Sequence, residues 1–263
     1  MNPSESVPQE KPEEGRPFHL EGIALGRTFR VNGGSLQVLE GVRFRISTGE
    51  FVCILGRSGC GKTTLLKVVA GFLSPSSGRV LINGRDVRGP GSDRCVVFQE
   101  DALFPWLTVK ENVTFGLRYR KKDGPRGLPD VDRLIESVGL ARFKDYLPRE
   151  ISGGMKQRVA LARVLVLHPE VLLMDEPFAS LDSQTRREMQ ELLIALWEQT
   201  GHTVLFVTHD IEEALLLADR VLVMDKSPGR IREEIPVALP RPRKPETAEF
   251  LGLKRKLLET IGD

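Results

Sequence analysis

The sequence predicts an α/β fold, and three observations carry that prediction. An apolar run at Phe51–Leu55 passes into a glycine-rich loop and then into a helical pattern with apolar positions at Leu65, Leu66, Val68 and Val69. Two further runs, Val171-Leu172-Leu173-Met174 and residues 203–207, are short and continuously apolar, as strands buried on both faces of a parallel sheet must be. Between those two runs Met189, Leu192, Leu193, Leu196 and Trp197 recur at helical spacing, for which core packing is the default role. The 263 residues suffice for one large α/β domain or for two small lobes sharing a core.

Bulk properties narrow the class. Charged residues make up 28% and hydrophobic residues 40% of the chain, the balance of a soluble globular protein. A net charge of +2 does not point to nucleic acid. The cysteines are Cys53, Cys60 and Cys95, an odd count that argues against a disulfide framework and for a reducing compartment. No apolar run approaches the ~18 residues of a membrane-spanning helix, so no span is expected. Residues 1–17 lack the apolar core of a signal peptide, and their Pro, Glu and Ser content reads as a disordered leader.

The glycine-rich loop, Gly56-Arg57-Ser58-Gly59-Cys60-Gly61-Lys62-Thr63, followed by Thr64, is the chemical centre of the chain. Glycines at 56, 59 and 61 allow backbone N–H groups to close around a polyphosphate. The helix start beyond them favours anions through its free N–H groups and dipole. Lys62 is then expected to reach the β- and γ-phosphates and Thr63 to ligate Mg²⁺. A chance glycine-rich turn is the plain alternative; the Lys-Thr pair and the strand-to-helix setting argue against it.

Taken in order, the chain opens with alternating residues 19–29 and 37–46 around Asn32-Gly33-Gly34, which predicts antiparallel strands. Phe29 is either an edge or core aromatic or a flat platform for a nucleotide base. Residues 79–82, Asn83-Gly84 and residues 85–87 predict a hairpin. A short strand at 95–98 ends at Gln99. From Glu100 to Arg149 the pattern turns helical. It holds Phe104-Pro105-Trp106, a helix capped by Thr108 and Glu111, a polar loop at 120–130 that reads as a solvated connection, and a helix at 132–138 stopped by Gly139.

Ile151-Ser152-Gly153-Gly154-Met155 then opens a helix expected to run to about Leu167. It is either a plain N-cap or a second anion-binding helix start. The run at 171–174 delivers Asp175 and Glu176 to its carboxyl end, where open α/β sheets place ligand chemistry. Asp175 suits Mg²⁺, directly or through its shell, and Glu176 suits orienting and deprotonating a water. Ser180-Leu181-Asp182 is a polar turn. The strand at 203–207 ends at Thr208-His209-Asp210, a placement that favours a catalytic role for His209. A strand at 221–224, a turn at Ser227-Pro228-Gly229, a basic Pro-rich linker at 239–245 and a final helix at 247–261 complete the chain.

In this order the parts resemble the ATP-binding cassette of ABC transporters over about residues 18–235. The Walker A loop is Gly56 to Thr63, the Q-loop glutamine Gln99, and the signature Ile151-Ser152-Gly153-Gly154-Met155. Walker B is Val171–Asp175 followed by Glu176, the D-loop is Ser180-Leu181-Asp182, and the switch histidine is His209. Ile151 and Met155 depart from the usual Leu and Gln of the signature, while the Ser-Gly-Gly core is intact. The resemblance implies a P-loop NTPase with a RecA-like core, an N-terminal antiparallel β-subdomain and a helical subdomain at about 101–168, with 236–263 as linker and C-terminal helix.

It also implies a mechanism. Two copies pair head to tail, and each ATP lies between the phosphate loop of one and Ser152, Gly153 and Gly154 of the other, with Asp182 at the junction. Glu176 is the base, His209 reaches the γ-phosphate and water, Gln99 reaches Mg²⁺ and the water, and Phe29 aligns with the base-stacking aromatic. The region around Phe104-Pro105-Trp106 is where a permease subunit would dock, placing the protein at the cytoplasmic face of the inner membrane. Residues 98–106 and the short tail are similar to importers of nitrate, sulfonates, taurine and similar solutes, which use a separate solute-binding protein. The tail is too short for the regulatory barrel of sugar-type importers.

Alternatives within the family are an export or lipid-transport ATPase and a soluble ABC ATPase acting on nucleic acid. The latter is disfavoured by a single cassette, no heptad run and only about 110 residues between Thr63 and Asp175. A generic P-loop kinase has no use for Ser152-Gly153-Gly154. Cys60, at a variable loop position, is expected to react with a bulky thiol reagent that blocks ATP binding.

Overall fold

A computed structural model describes residues 18–31, 33–99, 102–119, 130–226 and 228–262. The expected leader, Asn32, Glu100-Asp101, the polar loop at 120–129 and Ser227 lie outside the described residues. The chain opens with two long antiparallel strands, β1 (Phe18–Val31) and β2 (Gly34–Ser47), matching the alternation read from sequence. The buried run β3 (Phe51–Leu55) follows and leads through the glycine-rich loop into α1 (Lys62–Ala70). β4 (Ser77–Ile82) and β5 (Arg85–Asp86) form the expected hairpin. Asn83 and Gly84 both take positive φ, 49° and 72°, as a two-residue turn matched to strand twist requires. These strands make a four-stranded sheet in the order β2-β1-β4-β5.

β6 (Arg94–Val97) begins the excursion into the helical region. There α2 (Val109–Thr114) starts with the capping box expected at Thr108 and Glu111, and α3 (Val131–Ser137) starts at Asp130. One organiser of this region was not read from sequence. Asn112 is fully buried; its Oδ1 accepts from the Phe104 N–H at 2.9 Å, and its Nδ2 donates to the carbonyls of Phe104, Leu107 and Thr108. The loop bearing Phe104-Pro105-Trp106 is thereby pinned to α2 through otherwise orphaned backbone groups. α4 (Gly153–Leu165) then returns the chain to the sheet.

β7 (Val171–Asp175), α5 (Ser183–Thr200), β8 (Thr203–Thr208), α6 (Ile211–Leu217) and β9 (Arg220–Met224) complete the core. The second sheet has the order β10-β9-β3-β8-β7-β6, where β10 is Ile231–Pro236. All its neighbours are parallel except β10, which pairs antiparallel to β9. Residues of β3 alternate between the two faces. Phe51, Cys53 and Leu55 join Leu172, Met174, Val204 and Phe206 in one core, while Val52 and Ile54 join Leu173, Leu205 and Val207 in the other, beneath α1 and the antiparallel sheet.

The structure adds two features at the C-terminal end. β10 is an edge strand whose Arg232-Glu233-Glu234 centre carries no apolar run, so the sequence held no strand signal there. The stretch at 239–245, read as a linker, is docked: Arg241 and Arg243 bond to backbone carbonyls of 215–218 and 237–239. The last helix, α7 (Ala248–Gly262), buries Phe250 and Leu257 in the core and leaves Leu258 exposed. Phe250→Ala is expected to cost about 3–5 kcal/mol and Leu258→Ala less than about 0.5 kcal/mol, read from denaturant midpoints. Equal effects would show that α7 is not part of the core.

Candidate functional site

Sheet register brings the candidate residues to one edge. Leu55 at the end of β3 pairs with Thr208, and Asp175 at the end of β7 pairs with Val207. The glycine-rich loop, Asp175-Glu176 and Thr208-His209 therefore leave three adjacent strands side by side, at the carboxyl edge of a parallel sheet. Only glycine fits at 56: a Cβ there would lie 2.7 Å from the Met224 carbonyl oxygen and 2.8 Å from Cys60 Sγ. Gly61, at φ 101°, turns the chain into α1.

Lys62 is buried. Its Nζ donates to the carbonyls of Gly56 at 2.8 Å and Arg57 at 3.2 Å, and lies 3.4 Å from Glu176 Oε1. A desolvated ammonium needs such partners, and the loop's own backbone supplies two of them. Thr63 Oγ1 donates to Asp175 Oδ1 at 3.1 Å. Burial raises the Asp175 pKa, against the lowering effect of that bond.

Glu176 points elsewhere, as expected of consecutive residues at a strand end. It takes a left-handed φ of 45°, a conformation that costs a non-glycine residue of order 1–3 kcal/mol and clusters at functional sites. Its N–H donates to the Val207 carbonyl at 2.9 Å, which holds the turn against β8. Its carboxylate is bracketed by Lys62 on Oε1 and by His209 Nδ1 on Oε2 at 2.8 Å.

The structure thus gathers Lys62, Thr63, Asp175, Glu176 and His209 in one place. Arg57, Ser58 and Gly59 are exposed at the crown of the loop, and Thr64 is half-buried behind it. Gln99 is exposed just past the end of β6. Phe29 is half-buried in β1 opposite Leu36, with the Arg27 guanidinium 4.6 Å from its ring centroid. Ser152 caps α4 by accepting from the Met155 N–H at 3.3 Å. Ser152 and Gly153 are exposed, and none of the described hydrogen bonds joins residues 152–154 to the loop at 56–63. Asp182 caps α5, and the Thr185 and Gln184 N–H groups hold its carboxyl below the usual range.

Two supporting residues escaped the sequence reading. Gln157 is buried in α4 and donates to the Pro177 carbonyl at 2.7 Å, tying α4 to the turn after Glu176. Arg186 donates to the Leu181 carbonyl at 2.9 Å and lies 3.7 Å from Asp210, linking the polar turn to the residue after His209. The available signal for Gln157 was a polar residue on the apolar face carrying Ala160 and Leu161.

Comparison with known proteins points to one family. Residues 39–179, just over half of the chain, match the family described as ABC transporter. A nitrate import ATP-binding protein (NrtD) of Synechocystis sp. is 45% identical over 239 residues, covering 91% of this chain and 90% of that protein. A taurine import ATP-binding protein (TauB) of Jannaschia sp. is 51% identical over 203 residues, covering 77% and 76%. Among solved structures, an ATP-binding cassette captured as a dimer after hydrolysis with ADP and Pi superposes with a TM-score of 0.71 at 31% identity, covering 84% of this chain and 99% of that one.

Cys60 corrects one expectation. Its side chain is 1% exposed, packed beneath the loop, and burial raises its thiol pKa. A bulky maleimide is therefore expected to leave Cys60 unmodified in the native protein and to modify all three cysteines in denaturant, as read by mass spectrometry. Fast native labelling of Cys60 would contradict its placement.

Proposed function

The chain belongs to the ABC transporter family, and from that premise we propose that it is the nucleotide-binding subunit of an importer for nitrate, sulfonate, taurine or a similar small solute. It is an ATPase of the ABC type and binds ATP. The observation that carries the mechanistic reading is the bracketed carboxylate of Glu176. Its Oε1 faces Lys62 and its Oε2 faces His209.

Polyphosphate entering the loop is cradled by backbone N–H groups from Gly56, Arg57, Ser58, Gly59, Cys60, Gly61, Lys62, Thr63 and Thr64. The γ-phosphate carries more negative charge than a carboxylate, so it displaces Glu176 from the Lys62 ammonium. Glu176 is then free to take a proton from water as the water oxygen attacks phosphorus and the ADP oxygen departs. His209 holds the carboxylate in orientation, and Gln99 aligns the water. Thr63 and Asp175 present a paired hydroxyl and carboxylate, the hard oxygen donors that suit Mg²⁺. Mg²⁺, when bound, neutralises charge on the phosphate oxygens. Among the described residues no group of three or more His, Cys, Asp or Glu is arranged to hold a metal, which agrees with an ion shared with substrate phosphates.

The exposed Ser152 and Gly153, with Gly154, form a helix start whose N–H groups suit the γ-phosphate of a second copy, with Asp182 beside the junction. That supports a head-to-tail pair of cassettes spanning 18–235. Phe29 offers its ring to the adenine base once Arg27 yields one face. The helical region at 101–168 presents Trp106, 71% exposed, whose ring centroid lies 5.8 Å from that of Phe104, itself 4.3 Å from that of Phe115. This aromatic surface suits a membrane permease. Attachment at the cytoplasmic face of the membrane follows from that docking; among the described residues no helix is long and apolar enough to cross a membrane.

Glu176→Gln is expected to bind ATP, to run as a dimer in its presence, and to hydrolyse it about 10²–10⁴-fold more slowly. A monomer with and without ATP would remove the head-to-tail pair. Trp106→Glu is expected to leave basal ATPase intact and abolish recovery of a multi-span permease from detergent-solubilised membranes; undiminished recovery would move the docking surface elsewhere.

A further inference from the structure

Helix α6 carries His209 immediately ahead of its Asp210 cap, and Asp210 ties that start rigidly by accepting from the N–H groups of Glu212 and Glu213 at 2.8 and 3.2 Å. The helix is seven residues, about 10 Å, so a tilt at its far end is felt at its head. Close packing does not wedge it on every side. A cleft of about 660 Å³ opens between α5, α6 and residues 241–245, lined by Leu216 and Leu217 among others.

The inner face of α6 is buried in the core through Ala214, Leu215 and Leu217, and both of its ends are in addition gripped by cations from the C-terminal segment. At the head, Lys254 Nζ of α7 pairs with Glu212 Oε2 at 2.9 Å. At the far end, Arg243 Nη1 donates to the carbonyls of Leu215 at 2.7 Å and Ala218 at 2.6 Å, and Arg241 Nη2 donates to that of Leu217 at 2.5 Å. These are carbonyls that a helix end leaves without intrahelical partners, and the negative end of the dipole favours cations there. Arg243 spends its other donors on the carbonyls of Leu239 and Val237, both at 3.1 Å, so its position is fully determined.

Arg241 extends the grip to the start of β3. Its Nη1 bonds Asp219 Oδ1 at 2.7 Å, and its guanidinium lies 4.5 Å from a ring centroid of Trp197. Asp219 Oδ2 accepts from the Phe51 N–H at 2.9 Å, and the Asp219 N–H donates to the Phe51 carbonyl at 2.7 Å. Phe51 opens β3, the strand that ends at the loop.

We propose that Arg241, Arg243 and Lys254 are positioning residues for ATP hydrolysis. The C-terminal segment clamps α6 to the base of β3 and so holds His209 against Glu176. The inference rests on the role proposed above for His209. It assigns the tail a part in turnover that neither the phosphate loop nor the signature helix supplies.

The test is steady-state ATPase on the full chain carrying Arg243→Ala, Arg243→Lys, Lys254→Ala, Lys254→Glu with and without Glu212→Lys, His209→Ala, and His209→Ala combined with Arg243→Ala. Arg243→Ala and Lys254→Ala are expected to lower kcat by at least about threefold, within the ~100-fold that a misplacement of about 1 Å costs, with KM for ATP little changed. Glu212→Lys should restore activity to Lys254→Glu, and Arg243→Lys should recover part of the loss. In the His209→Ala background Arg243→Ala should cost nothing more, because both act through one group. A wild-type kcat in Arg243→Ala and Lys254→Ala, or an undiminished Arg243→Ala effect without His209, overturns the clamp. If Arg243→Ala does not fold, the half-buried Lys254–Glu212 swap decides alone. Wild-type turnover in His209→Ala would instead remove the role of His209, and the clamp with it.

Discussion

A buried ammonium needs partners, and much of this architecture answers that need at Lys62. The side chain sits beneath a loop whose glycines let two backbone carbonyls turn towards it. A third partner, Glu176, is supplied from a different strand. In a low-dielectric setting an unpaired cation is costly, so the loop, β7 and β8 must arrive in fixed relation for the fold to be stable at all. The same requirement makes the site responsive. The partner that can leave most readily is the carboxylate, and a polyphosphate is the group best able to replace it.

That arrangement depends on a parallel sheet with both faces covered. Alternate residues of β3, β7 and β8 feed two cores, one beneath α1 and the antiparallel sheet and the other against α4, α5 and α6. Neither face can shift register without exposing an entire row of apolar side chains. Register in turn places Leu55 beside Thr208 and Asp175 beside Val207. The strained φ of Glu176 is tolerated because its N–H continues the bonding to β8, so packing elsewhere offsets the local cost.

The helical region and the C-terminal segment are attached by different physics. The helical region shares an apolar core with β3, β7 and β8, and directional polar contacts add to it: Asn112 fixes the 104–108 backbone within the region, and Gln157 ties α4 to Pro177. The C-terminal segment combines the buried Phe250 and Leu257 of α7 with guanidiniums that end on backbone carbonyls. Between them lie the two turns that follow β7 and β8, bridged by Arg186.

Much of this was legible in the sequence, because the decisive signals are local. Glycine spacing, apolar runs ending in Asp175-Glu176 and His209, the Thr108 capping box and the Asn83-Gly84 turn each state their geometry within a few residues. β10 was silent because an edge strand with a charged Arg232-Glu233-Glu234 centre has no apolar run. Arg241 and Arg243 read as part of a basic Pro-rich linker because their partners are carbonyls about 25 residues earlier in the chain. Cys60 read as a loop thiol, whereas it is buried in the core cluster that holds Ile54, Leu65 and Met224. The sequence by itself determined the phosphate loop, the carboxylates and the order of the strands and helices that carry them, since these follow from residue type and period. Only the tertiary structure decided which groups meet: that Glu176 lies between Lys62 and His209, and that the C-terminal segment grips α6. These partners lie from about 25 to more than a hundred positions apart in the chain, and local propensity carries no information about them.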